Sequence, residues 1–207
     1  MNFNQRFTPA SAWFKQLAEA SRFGDMLWTQ AQYNQGGREK YFALREHMIH
    51  QFDLWRYHVG EVASVTAQAR WSQTAKAQGH PDVIGATVQF ECGPIGVFTN
   101  GAPDVGGLFH YYELVGSEGR GYCENFVGRA VFRPNNAPAQ FRDPPWVSRG
   151  GKYWDTFATH IDLVVAALLA GNPVPVSARD ALAAQRICDA LIEAVEFGSK
   201  IEVRRNA

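Results

Sequence analysis

The spacing of hydrophobic and polar positions changes along the chain, and three textures follow one another. Residues 2–7 mix polar and apolar side chains as a short strand would. Thr8-Pro9 offers an N-cap and a proline at the first helical position, which predicts a helix to about Phe23, stopped by Gly24. Residues 26–33 read as a strand leading into the loop 34–38, and residues 41–58 as a second helix closing at Gly60. From Glu61 to about Pro134 the period shortens. Strand-like segments at 62–70, 83–91, 95–99, 108–115, 121–127 and 129–132 alternate with Gly, Pro, Asn and Asp turns. Connections this short leave no room for crossover helices, so the strands are expected to pair mainly antiparallel.

The third texture begins with residues 135–152, rich in Pro, Asn, Arg and Gly, which read as a long surface loop. A helix is expected over 155–170, ended by Gly171 and Pro173-Val-Pro175. Ser177 and Asp180 have capping-box spacing, and Leu182, Ile187, Leu191 and Val195 make a helical stripe that ends at Gly198. Residues 200–204 read as a last short strand. The pattern predicts an α+β fold: one domain over 1–207, with a large, mainly antiparallel open sheet and helices packed on one face.

Composition narrows the partners. Hydrophobic residues make up 46% and charged residues 19%, which excludes a disordered chain. Twenty basic residues balance twenty acidic ones, so the basic excess that nucleic acid or an anionic membrane would demand is missing. Cys92, Cys123 and Cys188 are odd in number and far apart, which fits reduced thiols in a cytoplasmic protein better than a disulfide framework. The start of the chain lacks signal-peptide features, and the longest apolar run, 161–170, is broken by Asp162 and too short to span a bilayer.

Candidate chemistry concentrates in the second helix. Glu46, His50, Asp53 and Tyr57 recur at i, i+4, i+7 and i+11 and share a helical face, with His47 at its edge. A histidine flanked by carboxylates suits general acid–base work, because a carboxylate sets the tautomer and leaves the other ring nitrogen for substrate. The same spacing also fits a solvated polar stripe. Glu46 or His47 with His50 could offer two metal ligands, but no third is announced nearby, and His80, His110 and His160 lie in other segments; no metal is assigned. Gly116, Gly119 and Gly121 have the wrong spacing for a dinucleotide loop and lie between two strands. Tyr153 and Trp154, before a helix, are candidates for lining a pocket.

Together these motifs resemble the C-terminal domain of the glucose-fructose oxidoreductase, inositol dehydrogenase and MocA family. Asn4-Gln-Arg-Phe-Thr-Pro9 is similar to the strand that opens that domain, and His50-Gln-Phe-Asp53 with Arg56 and Gly60-Glu61 to its signature helix. Residues 113–119 resemble its strand and glycine turn, and residues 157–198 its C-terminal helix pair. The resemblance implies binding of a sugar, cyclitol or related polyol. It implies that His50 exchanges the substrate proton, assisted by Glu46 and Asp53, with Arg6, Tyr33, His47 and Tyr153 as substrate contacts. It also implies NAD or NADP as cofactor, a homo-oligomer through the open sheet, and hydride transfer that needs a Rossmann domain, expected ahead of Asn2 or on a separate subunit. Glu39-Lys40-Tyr41 is only a superficial echo of that domain's Glu-Lys-Pro segment. A stand-alone lyase, epimerase or hydrolase, with or without a metal, and a non-catalytic sugar-binding dimer are the competing expectations.

Overall fold

The computed structural model describes residues 2–34, 41–101, 109–124, 129–143 and 154–204. The chain opens with a 3-10 turn, Asn4–Phe7, where a strand was expected. Asn4, Gln5 and Arg6 are all buried. A strand sends successive side chains to opposite faces, so it could not turn three consecutive polar residues inward. Helix α1 (Pro9–Glu19) starts as predicted, with the Thr8 hydroxyl accepting the Ser11 amide. It stops before Phe23, and Ser21 takes a positive φ of 54°. After strand β1 (Met26–Asn34) the expected helix over 41–58 is a π turn, Leu44–Met48, followed by α2 (Ile49–His58).

The sheet adds β2 (Val62–Arg70), β3 (Val83–Phe90), β4 (Ile95–Gly101), β5 (Phe109–Gly116), β6 (Gly119–Glu124), β7 (Ala130–Pro134), β8 (Gln140–Arg142) and β9 (Ile201–Glu202). Their spatial order is β8-β7-β6-β5-β1-β4-β3-β2-β9. Among the described strands only β1 and β4 pair in parallel; the remaining ladders are antiparallel. Strand β8 lies in the stretch expected to be loop, and its three residues are too few to show a period. Helix α3 (Gln73–Gln78) was also not anticipated, although Ser72 caps its amide at Ala75 and Gly79 closes it in the left-handed conformation. Helices α4 (Asp155–Leu169) and α5 (Ala178–Phe197) complete the chain, the latter opening on the expected Ser177–Asp180 capping box. No helix among the described residues is long and apolar enough to cross a membrane.

Alternation along the strands makes one face of the sheet the core. Ala31, Ala86, Val88, Phe98, Tyr112 and Leu114 are buried there. The rings of Phe52 and Trp55 on α2 lie against Phe98, and Phe23, after α1, meets Phe132 edge-on at 5.1 Å. The opposite face carries Gln30, Thr87, Val97 and Glu113 in the alternate register.

A buried ion pair ties the N-terminal turn to the helices. Arg6 presents its guanidinium fork to Asp53 on α2, with N–H to oxygen distances of 2.7 and 2.5 Å. Arg6 also donates to the Pro175 carbonyl and to Asp180, each at 3.2 Å. Arg56 reaches the same Asp180 and forks onto Glu61 at 2.7 and 2.8 Å. One arginine thus links the 3-10 turn, α2 and the cap of α5. Removing either partner strands a charge in a dry site, so Asp53→Ala or Arg6→Ala should each cost about 3–5 kcal/mol. Urea denaturation of both single variants and the double variant checks this; a loss below about 1 kcal/mol in the singles would refute it.

Candidate functional site

The site builds on one rung of the sheet. Tyr33 at the end of β1 lies opposite His110 at the start of β5, and their rings stack with centroids 3.8 Å apart. Both stand in the register of Ala31 and Tyr112, so they belong to the helix-covered face. The π turn brings His47 and the first turn of α2 brings His50 into the same neighbourhood. The charge of a protonated His47 would lower the proton affinity of both His50 and His110. His47 itself stands edge-on to Phe42 at 5.8 Å. Tyr41, just before the π turn, holds a positive φ of 61°. A bulky residue rarely adopts this conformation, and such strain recurs at functional sites, as do single π turns.

His50 is half-buried, with Phe3 edge-on to its ring at 5.6 Å. Its Nδ1 is sealed from solvent and has no hydrogen-bond partner among the described residues. Burial, helped by His47, pulls His50 down to about 4, and His110 likewise to about 4. Both rings are therefore neutral at pH 7. His47 is also lowered by burial, while Glu46 pulls it the other way.

The carboxylates sit differently from their sequence spacing. Glu46 is exposed and acts on His47. The wider π turn rotates the chain between residues 44 and 48, so the helical face assumed for Glu46 and His50 does not carry through. Asp53 is buried with both oxygens engaged by Arg6; burial raises it to about 6 against the opposing pull of that arginine. Arg6, expected as a substrate contact, is committed to Asp53 and Asp180. Tyr57 lies under the Arg6 guanidinium, 5.0 Å from its ring centre. Tyr153 falls outside the described residues. The residue that sequence reasoning missed is His110. Its only signal was a place in a predicted strand, because pairing with Tyr33 is a matter of register between segments 77 positions apart.

Among the described residues no three His, Cys, Asp or Glu side chains converge to hold a metal. A dinucleotide does not fit the glycines either. A Cβ on Gly116 would stand 2.1 Å from the Phe23 carbonyl oxygen, and one on Gly121 would stand 3.0 Å from the rings of Phe14 and Phe23. These glycines admit neighbouring protein, whereas a pyrophosphate loop opens onto a ligand at a helix N-terminus.

A family model described as the GFO/IDH/MocA C-terminal domain matches residues 12–121, more than half of the chain. The chain belongs to this family. The GFO/IDH/MocA domain is 27% identical over 158 residues to a Bacillus subtilis (strain 168) protein named uncharacterized oxidoreductase YrbE, covering 75% of this chain and 46% of that protein. An NAD binding oxidoreductase from Klebsiella pneumoniae superposes with a TM-score of 0.83 at 16% identity, over 99% of this chain and 66% of that one. Levoglucosan dehydrogenase in complex with NADH and levoglucosan gives a TM-score of 0.83 at 20% identity, over 99% and 65%. At these identities the structural likeness shows a shared fold. The chain spans about half the length of the curated relative and about two thirds of these structures.

The lowered histidines set the acid response of the GFO/IDH/MocA domain. His50, His110 and the buried His58 all lie near 4, whereas unfolded histidine titrates near 6.5. Their contribution to stability is complete above pH 6.5 and is lost as the pH falls towards 4, because the unfolded chain takes up the protons first. Denaturation between pH 8 and 4 should show stability dropping through that window. NMR titration should leave the His50 and His110 rings neutral at pH 5.5; rings already protonated there would contradict the assignment.

Proposed function

We propose that these residues form the substrate-binding and oligomerisation domain of a cytoplasmic NAD(P)-dependent oxidoreductase acting on a sugar, cyclitol or related polyol. The observation that carries the reading is His50: a neutral imidazole with one nitrogen sealed, at the edge of a cluster formed by His47, His110 and Tyr33. A neutral ring accepts the proton of a hydroxyl whose carbon is being oxidised and returns it in the reverse direction. Tyr33, His47 and His110 would line the substrate, and Glu46 would tune His47. Arg6 and Asp53 act as positioning residues, because their ion pair fixes the helix that carries His50. The levoglucosan complex of a protein with the same fold supports a carbohydrate-like substrate. The dinucleotide would be held by a Rossmann domain outside these residues, since the glycines described here do not cradle one.

In the enzyme assembled with its nucleotide-binding domain, His50→Gln should lower kcat by about a hundred- to ten-thousand-fold while leaving circular dichroism unchanged. An unchanged kcat rejects the assignment. In the chain alone, titration with levoglucosan and myo-inositol should shift the imidazole signals of His50 and His110; silence of both rings with every polyol would count against the substrate class.

Oligomerisation is assigned to the uncovered face of the sheet. Thr66, Gln68, Gly85, Thr87, Val97 and Thr99 border a shallow depression of about 650 Å³ there. Apart from Arg70 at the end of β2 the lining is uncharged, and a flat sheet face of this kind suits face-to-face packing of a second copy. Thr87→Arg should reduce the mass seen by light scattering to that of the monomer, and an unaltered mass would exclude this face.

A further inference from the structure

A second cleft lies away from the imidazole cluster. Strands β1, β2 and β4 run in one direction, so the start of β2 and the end of β3 lie at the end of the sheet opposite the Tyr33 end of β1. There the N-terminal half of α5, the chain after β9 and the α2–β2 connection border a cleft of about 320 Å³. Arg56, Arg179, Arg186 and Arg204 line it with Glu61 and Glu91, so four guanidinium groups face two carboxylates. Its volume falls at the lower end of the range of small-ligand sites, about 300–1,000 Å³.

Two of these arginines are already paired. Arg56 forks onto Glu61 and reaches Asp180, and Arg204 donates to Glu193 at 2.9 Å. Arg179 and Arg186 have no ion-pair partner among the described residues. They stand at i and i+7 on one face of α5, about 10 Å apart along its axis, and Ala183 between them is too short to fill the gap. Arg186 is half-buried, so part of its hydration is already lost. Arg179 sits in the first turn, where the positive end of the helix disfavours a cation, so helix stability does not account for it. The amides of Ser177 and Asp180 are taken by the capping box and are closed to a ligand. A concave surface with an excess of arginine concentrates its field on an anion.

We propose that this cleft binds a small molecule bearing a phosphate or diphosphate group, gripped by Arg179 and Arg186. Guanidinium forks match phosphate oxygens bidentately. Two forks from separate turns suit a group with oxygens on several sides, whereas a single planar carboxylate is saturated by one. The chain as a whole carries no net charge, so the attraction is local to the cleft and does not suit the long run of phosphates in a nucleic acid. The site shares no residue with the imidazole cluster and is independent of the reading given to His50.

Titration calorimetry of the chain with inorganic pyrophosphate tests this. The wild type should bind it with a Kd below about 1 mM, more weakly as sodium chloride is added. Arg179→Gln/Arg186→Gln should bind roughly tenfold or more weakly. Without the anion this variant should melt with the wild type, because neither arginine has an ion pair to lose. Arg22→Gln/Arg133→Gln removes the same charge from exposed positions elsewhere and should bind as the wild type does. No binding by the wild type, undiminished binding by the cleft variant, or an equal loss in the control pair overturns the proposal. Succinate held as tightly as pyrophosphate would refute the phosphate class. Movement of the His50 and His110 ring signals on adding pyrophosphate would place the anion at the imidazole cluster and reject the cleft.

Discussion

The pairing of Arg6 with Asp53 is the contact on which the arrangement of the helices depends. Two charges are withdrawn from water, and the bidentate geometry together with Asp180 and the Pro175 carbonyl offsets the desolvation. The pair brings residues 47 positions apart to hydrogen-bonding distance. Asp180 is exposed to opposing influences: burial raises it, but the Ser177 amide and hydroxyl and the Arg6 charge together bring it down to about 2. The cap of α5 is thus ionised throughout the physiological range and remains available to both Arg6 and Arg56. A merely hydrophobic contact at this point would fill the space without fixing the rotation of α2, and that rotation decides which of its side chains reach the sheet.

What reaches the sheet is a group of imidazoles kept neutral by their surroundings. Low polarity around His50 and His110, together with their mutual proximity to His47, opposes protonation. Among the described residues no three His, Cys, Asp or Glu side chains converge around this group. The imidazoles gather where the end of β1 meets the start of β5, and one of them, His110, stacks on Tyr33.

Much of the architecture was legible from local chemistry. The Thr8-Pro9 start of α1, the Ser177–Asp180 capping box and the alternating strands of the meander are short-range signals, each set by residues within a few positions of one another. The failures follow from the same logic. Residues 2–7 read as a strand because only the distant partners Asp53, Gln51 and Thr156 make a 3-10 turn of buried polar side chains favourable. Helix α3 and strand β8 were missed because they are shorter than the period needed to reveal them. The continuous face drawn through Glu46, His50 and Asp53 assumed uniform α-helical winding, and the π turn at Leu44–Met48 broke it.

The sequence by itself determined the class of the fold and the caps and ends of many elements, because hydrophobic period and capping are local properties of the chain. Only the tertiary structure decided that Asp53 serves Arg6, that Glu46 faces His47 and solvent, and that His110 stacks on Tyr33. Those outcomes depend on strand register, helix rotation and burial. The pairs Arg6–Asp53 and Tyr33–His110 join residues tens of positions apart, so no short window along the chain contains both partners, and the turn of Glu46 away from His50 follows from the π winding between them.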